Sequence, residues 1–331
     1  MGAPALEGSG PGPDDLADRA RAALVREIER SGAWEGDPVW REAFEAVPRH
    51  LFVPYYYLGV VGGYERLWGE DPDPRVRERW LRGAYADTPL ATRVRDGELV
   101  SSSSQPSLMA KMLAELEVRD GDAVLEIGAG TGYNAALLAY RLGDGPVTTV
   151  DLDVEITEAA RRHLDVAGYH PTVVTGDGAR GVPERAPFDR IIATCTLTTI
   201  PPPWLVQCRP GARVLAPLAT GLIALEVRDP GHAEGRFLHT SAFFVPLRGA
   251  TRSGPEPEPA RTGGVPRRAR GDDLFRFLLA LTAGRLDPQD AYALWEDEGR
   301  PQRERYGVTV DEKGARAWLD DPGGPHTWPL S

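Results

Sequence analysis

The sequence predicts an α/β fold with a doubly wound, mostly parallel sheet. The main indication is an apolar strand, Val124–Ile127, that runs into three alternating glycines, Gly128, Gly130 and Gly132, at the start of a helix. A second apolar strand ends in Asp151, about where doubly wound folds place an acid against ribose hydroxyls. Further apolar segments alternate with helical ones, which is the pattern of βαβ units.

Residues 1–100 are expected to form helices and an insertion that pack on the domain after them. Residues 1–13 are rich in Gly, Pro and Ala, which predicts disorder. Apolar residues at helical spacing predict one helix from Asp15 and a second after the cap formed by Asp37 and Pro38. The aromatic residues that follow have no regular spacing, so we interpret them as packing residues rather than as the lining of a peptide groove.

Residues 101–248 are predicted to form the central domain. The four serines at 101–104 have the composition of a linker, but the helix after them leads directly to the glycine turn. We therefore interpret the serines as a helix entry inside the domain. The third and fourth strands are predicted at Thr172–Thr175 and 188–194, and later strands up to Leu247 extend the sheet with antiparallel edges.

The composition changes after Arg248, and Gly, Pro, Glu and Arg predict a linker over residues 249–271. Its basic cluster, Arg267–Arg270, is interpreted as a solvated tether, with a flexible contact to an acidic peptide as the alternative. A helix capped by Asp272 and a later hairpin then predict a small α+β extension over residues 272–331. We consider a role in substrate recognition for this extension.

Composition argues against several classes of function. The net charge of −11 disfavours a nucleic-acid substrate, which needs a clustered basic surface. The sequence shows neither a membrane-spanning run nor a signal peptide, so the cytoplasm is the expected location. Two cysteines, Cys195 and Cys208, are too few for a disulfide framework, and without Cys/His spacing typical of ligands no metal is expected.

The glycine turn and the acids near it predict a nucleotide site. Glycines let the backbone bend and approach a ligand, and the helix offers unpaired N–H groups. Asp151 is expected to bind a ribose, the alternative being that it caps the next helix together with Asp153. Asp177 is either a turn residue or an acceptor for the amine of an adenine. The predicted cofactor-binding residues are Glu126, Gly128, Gly130, Gly132, Tyr133, Asp151, Asp177 and Gly178.

Two other segments are more specific: Ser102-Ser103-Ser104-Gln105-Pro106, upstream of the turn, and Phe244-Val245-Pro246-Leu247 at the end of the last predicted strand. With the turn between them, they resemble the protein-L-isoaspartate O-methyltransferase family over roughly residues 38 to 248. The resemblance implies a Rossmann-like class I methyltransferase fold, with S-adenosylmethionine as cofactor and S-adenosylhomocysteine as product. Further matching segments lie at 47–49, 52–54, 84–90, 176–178 and 188–192.

The resemblance also implies roles for the serine segment. In the family, a hydroxyl in a Thr-x-Ser-Gln/Ala-Pro segment lies near the methyl donor and the substrate carboxylate. Ser104 takes the serine place and Ser102 the threonine place, so both are predicted to be catalytic. Gln105 and Val245 are predicted to contact the substrate. Because an Asp carboxylate is ionised at neutral pH, the transfer needs no general base, and positioning is the main task.

Enlarged chains of this kind also resemble methyltransferases that tailor ribosomally made peptides at one aspartate, after which the ester closes to a succinimide. This chain has an insertion between Val53 and Ala84 and a C-terminal extension. We therefore predict a peptide-tailoring relative acting on a peptide or protein that bears Asp or isoAsp, with general isoaspartyl repair as the alternative.

Two further interpretations stay open. An N-methyltransferase is suggested by Pro201-Pro202-Pro203-Trp204, but Ile200 stands where such motifs have a polar residue, and the segment is better explained as a helix start. A non-catalytic protein that keeps the fold as a binding scaffold is the other, since a fold does not imply a function.

Overall fold

The computed structural model describes residues 13–34, 38–61, 63–95, 97–249 and 264–330. The chain forms two compact units, Met1–Lys111 and Met112–Ser331. Residues 1–12, Asp37 of the predicted helix cap and most of the predicted linker lie outside the described residues. Within the described part, no helix combines the length and the apolar character needed to cross a membrane.

Helices open the first unit, and the apolar spacing predicts the first two of them but not the short third one. They are α1 Pro13–Arg30, α2 Pro38–Ala46 and α3 Arg49–Phe52. Helix α1 buries Leu24 and Ile28 on one face, and α2 buries Trp40 and Phe44. Both predicted helices are therefore confirmed.

A small antiparallel sheet fills the region that the aromatic residues made hard to interpret. Its elements are β1 Tyr55–Val60, β2 Gly63–Trp68, α4 Pro74–Ala84, β3 Leu90–Arg95 and β4 Glu98–Ser103. Among the described residues the strand order is β2-β1-β3-β4. Strand β1 buries Tyr56 while Tyr55 and Tyr57 lie on the other face, half-exposed. Because both faces carry tyrosine, the alternation typical of a strand is hidden in the sequence.

The serine segment is a strand rather than the predicted helix entry. Residues up to Ser103 belong to β4, which pairs with β3, and the next helix, α5 Pro106–Glu115, begins only at the proline. The physical reason is alternate burial, because Ser101 and Ser103 point inward while Ser102 lies on the opposite face.

The second unit is built around one sheet. Its elements up to residue 241 are β5 Val124–Ile127, α6 Tyr133–Leu142, β6 Val147–Asp151, α7 Val154–Ala167, β7 Thr172–Thr175, β8 Phe188–Ala193, α8 Pro202–Val206, β9 Cys208–Leu218, β10 Gly221–Asp229 and β11 His232–Ser241. The remaining ones are α9 Arg267–Arg270, α10 Asp273–Leu281, α11 Pro288–Asp297, β12 Tyr306–Asp311, β13 Gly314–Leu319 and β14 Thr327–Pro329. Among the described residues, this sheet has ten strands in the order β14-β13-β12-β11-β10-β9-β8-β5-β6-β7.

The predicted α/β class is confirmed by the parallel half of this sheet. Strand β5 pairs in parallel with β6 and β8, β6 with β7, and β8 with β9. All four residues of β5 are buried, as expected for a central parallel strand. The strands beyond β9 are antiparallel, and they extend the sheet on one side.

The strand predicted near residues 237–247 lies earlier in the chain. Strand β11 starts at His232 and ends at Ser241. Beyond β11, two backbone hydrogen bonds join the segment around Val245 to Thr196. The Thr196 amide donates to the Val245 carbonyl at 2.9 Å, and the Leu247 amide donates to the Thr196 carbonyl at 3.0 Å. The segment with Val245 is thus attached to the end of β8 by a short bridge instead of forming a long strand.

Residues 264–330 complete the same sheet, although the sequence predicts an extension after a linker. Strand β12 pairs with β11, with Val310 opposite Ala233. The capping carboxylate of Asp272 accepts from the Leu274 amide at 2.9 Å, which confirms the predicted helix α10. The tether predicted at the basic cluster is instead helix α9, whose Ala269 is buried in the core.

Apolar packing explains why this segment joins the sheet. Phe277 of α10 is fully buried, and its ring centroid lies 4.8 Å from that of Phe237 on β11 and 5.3 Å from that of Tyr306 on β12. Through these edge-to-face ring contacts, helix α10 packs on both β11 and β12.

We predict that Phe277→Ala lowers the free energy of unfolding by about 3–5 kcal/mol, as expected for a large cavity in a core. Chemical denaturation of purified protein measures this. Phe243→Ala is the matched control, because that ring is 64% exposed and its loss should change little. Equal effects of the two substitutions would contradict the packing described for α10.

Candidate functional site

The glycine turn after β5 has the backbone that its sequence requires. Gly128, Gly130 and Gly132 have φ angles of 99°, 52° and 86°, in the left-handed region that favours glycine. A Cβ on Gly128 would lie 2.6 Å from the hydroxyl of Thr194, so this position also lacks space for a side chain. The turn therefore brings the start of α6 to the carboxyl end of β5, where open α/β sheets bind ligands.

The two acids after β6 have different roles. Asp153 caps α7, since its carboxylate accepts from the Glu155 amide at 2.9 Å. Asp151 instead faces the turn, where its Oδ2 accepts from the Gly130 amide at 3.3 Å. Its Oδ1 lies 3.6 Å from Nη2 of Arg248. Burial raises the pKa of Asp151, and the Gly130 amide opposes that rise.

Glu126 holds the strand and the helix of the turn together. Its side chain is buried, and Oε1 accepts from the side-chain nitrogen Nδ2 of Asn134, on α6, at 2.8 Å. Oε2 forms no well-aligned hydrogen bond with a described residue. Burial raises the pKa of Glu126 to about 7, while hydrogen bonding by the Thr149 hydroxyl and by the Asn134 side chain opposes the rise. Of the two roles considered for Glu126, fixing the turn is the one that these contacts support.

Asp177 and Gly178 stand at the end of β7. The Asp177 carboxylate accepts from the Ala179 amide at 3.0 Å and so caps a short 3-10 helix. This supports its interpretation as a turn residue and leaves adenine binding as a prediction. Gly178 is buried, and a Cβ there would lie 2.8 Å from the Ile127 side chain of β5.

The segment after Val245 passes over the same end of the sheet. The carboxylate of Asp177 would lie 2.3 Å from a Cβ on Gly249, and Arg248 reaches Asp151. The turn, both acids and residues 245–249 are therefore brought together within the second unit. Arg248, which directly follows the matching segment, was not predicted to lie at this site.

Tyr133, a predicted cofactor residue, and the Pro201 segment, which suggested an N-methyltransferase, also belong to the second unit. Tyr133 is the first residue of α6, is largely buried, and its amide lies 3.4 Å from the Thr131 hydroxyl. The Pro201 segment leads into helix α8, whose buried Trp204 donates to the Gly178 carbonyl at 2.8 Å. This confirms the interpretation of that segment as a helix start.

The two cysteines are free and buried. Burial raises the pKa of the Cys195 and Cys208 thiols to about 12, which suits packing residues. The described residues contain no group of His, Cys, Asp and Glu side chains that could hold a metal ion.

In the first unit, the four serines form two pairs that differ in burial. Ser101 and Ser103 are buried; their hydroxyls lie 3.3 Å from Thr92 Oγ1 and Arg49 Nη2, respectively. Ser102 and Ser104 are half-buried, and their hydroxyls form no hydrogen bond with any described residue. The two serines predicted to be catalytic are thus the two whose hydroxyls are available to a ligand.

Gln105 is engaged within the first unit. Its amide nitrogen donates to Asp87 Oδ2 at 3.2 Å and to the Ser107 hydroxyl at 3.1 Å. These contacts fix the segment, and a direct contact with substrate stays a prediction. Sequence analysis missed Asp87 and Arg49 as site residues. An arginine between the apolar residues Val47 and Phe52 is the signal that could have revealed a buried guanidinium.

The residues of the second unit fit a nucleoside cofactor. The cradle at Gly128 is one that a Cβ would fill, and Glu126 has a buried oxygen without a well-aligned hydrogen bond to a described residue. Asp151 offers a carboxylate of the kind that accepts hydrogen bonds from ribose hydroxyls. These three observations are what S-adenosylmethionine would require of such a turn.

Comparisons with known proteins agree with this site. A model of the family described as protein-L-isoaspartate(D-aspartate) O-methyltransferase matches residues 74–251. The protein-L-isoaspartate O-methyltransferase of Hyperthermus butylicus is 35% identical over 70% of this chain and 89% of its own length. That of Aeropyrum pernix is 34% identical over 70% of this chain and 80% of its own length.

Solved structures support the fold. One named protein-L-isoaspartate O-methyltransferase has a TM-score of 0.62 at 23% identity and covers 91% of this chain and 100% of its own. A candidate enzyme of that name from Plasmodium falciparum, in complex with S-adenosyl-L-homocysteine, has a TM-score of 0.51 at 14% identity, over 69% of this chain and 98% of its own. Residues 1–251 make up less than 91% of this chain. The likeness to the first of these structures therefore includes part of the C-terminal segment.

We predict that Gly128→Ala abolishes binding of S-adenosylhomocysteine, measured by isothermal titration calorimetry, because the new Cβ would press on Thr194. The matched control is Gly143→Ala. Gly143 has a similar φ of 82° but open space around it, so that variant should lose only conformational stability. Unchanged binding by the Gly128 variant would contradict the place given to the cofactor.

We also predict that Glu126→Gln raises the thermal unfolding midpoint at pH 8 more than at pH 5. The pKa of Glu126 rises from an ordinary 4.5 to about 7 in the folded protein, so the folded state binds the proton more tightly. Stability is therefore lost as pH rises between those values and stays low above them. Thermal unfolding of both proteins across this range tests it, and a difference independent of pH would contradict it.

Proposed function

The chain belongs to the protein-L-isoaspartate O-methyltransferase family, and from that premise we propose that it methylates the carboxylate of isoaspartyl residues in proteins. It is an S-adenosylmethionine-dependent methyltransferase. The observation that carries the proposed acceptor chemistry is the pair of uncommitted hydroxyls on Ser102 and Ser104, in the segment most specific to the family. Two hydroxyls on one face suit a carboxylate, which accepts hydrogen bonds at both oxygens.

The cofactor supplies a sulfonium methyl group when bound. Gly128, Gly130 and Gly132 would cradle it through their backbone, and Asp151 would hold the ribose. Asp177 and Gly178 would line the adenine, and Glu126 would keep α6 at its place through Asn134. All of these residues belong to the second unit.

The reaction places modest demands on the acceptor side. The carboxylate is already ionised at neutral pH, so no residue has to remove a proton. We assign Ser104 the task of donating a hydrogen bond to one carboxylate oxygen, which would orient the carboxylate toward the methyl donor. Ser102 would hold the carboxylate from the same side. Catalysis then depends on orientation and on the exclusion of water.

Repair of isoaspartyl proteins has more support than tailoring of a dedicated peptide. The relatives reported above carry the isoaspartate name over two thirds of this chain. Part of the C-terminal segment, which suggested tailoring, lies within the fold shared with a structure of that name. The presence of this segment alone is therefore not an argument for a specialised peptide. Methylation of one aspartate in a precursor peptide, with closure to a succinimide, is the outcome against which repair is tested.

The test is mass spectrometry of two peptides of one sequence, carrying either isoaspartate or aspartate, after incubation with enzyme and S-adenosylmethionine. We predict a methyl ester or succinimide on the isoaspartyl peptide alone. Modification of the aspartyl peptide instead would favour tailoring. Binding of S-adenosylhomocysteine without transfer to either peptide would favour a scaffold protein.

Ser104→Ala should lower kcat on the isoaspartyl peptide by about 10²-fold, which is typical of losing one positioned hydrogen-bond donor. Its affinity for S-adenosylhomocysteine should not change. Ser101→Ala is the matched control, since that serine lies in the same strand with its hydroxyl against Thr92, and it should keep its turnover. Full activity of the Ser104 variant would overturn the assigned role.

A further inference from the structure

Arg49 of α3 places a guanidinium in the interior of the first unit. The side chain is fully buried. Nη1 donates to the carbonyls of Ala84 at 2.8 Å and Ala86 at 3.0 Å, and Nη2 donates to the carbonyl of Thr88 at 3.3 Å. One side of the planar group therefore holds the loop at residues 84–88. The partners lie 35 to 39 positions away in the sequence, so only the fold brings them together.

The same Nη2 atom binds the serine segment. It donates to the carbonyl of Ser104 at 3.2 Å and to the hydroxyl of Ser103 at 3.3 Å. The guanidinium thus joins two segments, one that carries the proposed catalytic hydroxyl and one that carries Asp87. Burying a charged group costs several kcal/mol unless its donors are satisfied, and a well-packed apolar side chain often replaces such a group without loss.

Asp87 holds the serine segment from its other end. Its Oδ1 accepts from the Ser107 amide at 2.8 Å, and its Oδ2 accepts from the side chain of Gln105 at 3.2 Å. The loop with Asp87 is itself held by Arg49 on both sides, at Ala86 and Thr88. Residues before and after the Ser104 hydroxyl are thus fixed, while the hydroxyl itself makes no bond with a described residue.

We propose that Arg49, with Asp87, is the positioning residue for the Ser104 hydroxyl. In this proposal, which rests on the proposed function of Ser104, Arg49 touches neither the acceptor nor the cofactor. An arginine is needed because its rigid planar fork reaches carbonyls on two segments at fixed angles. A lysine ammonium is a compact point charge and cannot span them.

The experiment compares Arg49→Lys with wild type. We expect kcat on the isoaspartyl peptide to fall by about 10²-fold, as for a small misplacement of a positioned group. The KM for peptide and the affinity for S-adenosylhomocysteine should stay close to wild type, because the cofactor residues belong to the other unit. Arg75→Lys, at an exposed position on α4, is the matched control and should behave as wild type.

A double-mutant cycle with Ser104→Ala distinguishes positioning from general damage. If Arg49 acts only through Ser104, adding Arg49→Lys to the serine variant should lower kcat little further. An undiminished second loss would overturn the proposal, and so would a wild-type kcat in the single lysine variant. Should the lysine variant fail to fold, Asp87→Asn gives the same cycle from the other end of the segment.

Hydrogen exchange separates this proposal from the proposed function. Amides of residues 101–107 should exchange faster in Arg49→Lys than in wild type, whether or not the isoaspartyl peptide is a substrate. Unchanged exchange there would overturn the positioning role. A wild-type protein that modifies no isoaspartyl peptide, yet shows faster exchange in the variant, would refute only the substrate assignment.

Discussion

The cofactor end of the second unit depends on one close contact, between the backbone of Gly128 and the side chain of Thr194. The threonine hydroxyl donates to the Gly128 carbonyl at 2.8 Å, and the space between them is too small for a Cβ. Strands β5 and β8 are neighbours, so this contact fixes how the chain leaves β5. The left-handed turn follows from it, and with the turn come the start of α6 and the orientation of Asp151.

Each unit uses a buried ionisable side chain to hold its functional segment, and the two solve the problem of burial differently. Glu126 can take up a proton, and its raised pKa of about 7 places that change near neutrality. Arg49 cannot lose its proton at any ordinary pH, so its burial has to be offset by backbone carbonyls and a hydroxyl. A carboxyl group suits a link between two adjacent elements, whereas a guanidinium can join segments that are distant in sequence.

Local motifs made the cofactor half predictable. The glycines, the strand before them and Asp151 all obey rules that act over a few residues. The serine segment was predicted as a helix entry and is a strand, because serine has little preference for strand or helix and only burial of Ser101 and Ser103 reveals the strand. The catalytic role of Ser102 and Ser104 stays a prediction. The role of Arg49 was not predicted, because its contacts lie up to 55 positions away in the sequence. The place of the predicted C-terminal hairpin in the main sheet was missed for a similar reason, since its pairing with β11 crosses a segment of linker composition.

The way the large sheet ends has a consequence for solubility. Without β12, the ten residues of β11 would present an open row of backbone donors and acceptors, which is the kind of edge that pairs with other chains. Residues 264–330 pair with Ala233–Arg236 of that edge and move the boundary of the sheet to β14, a strand of three residues that includes Pro329. Proline cannot donate a ladder hydrogen bond, so the sheet finishes on a short strand that is poorly suited to self-association.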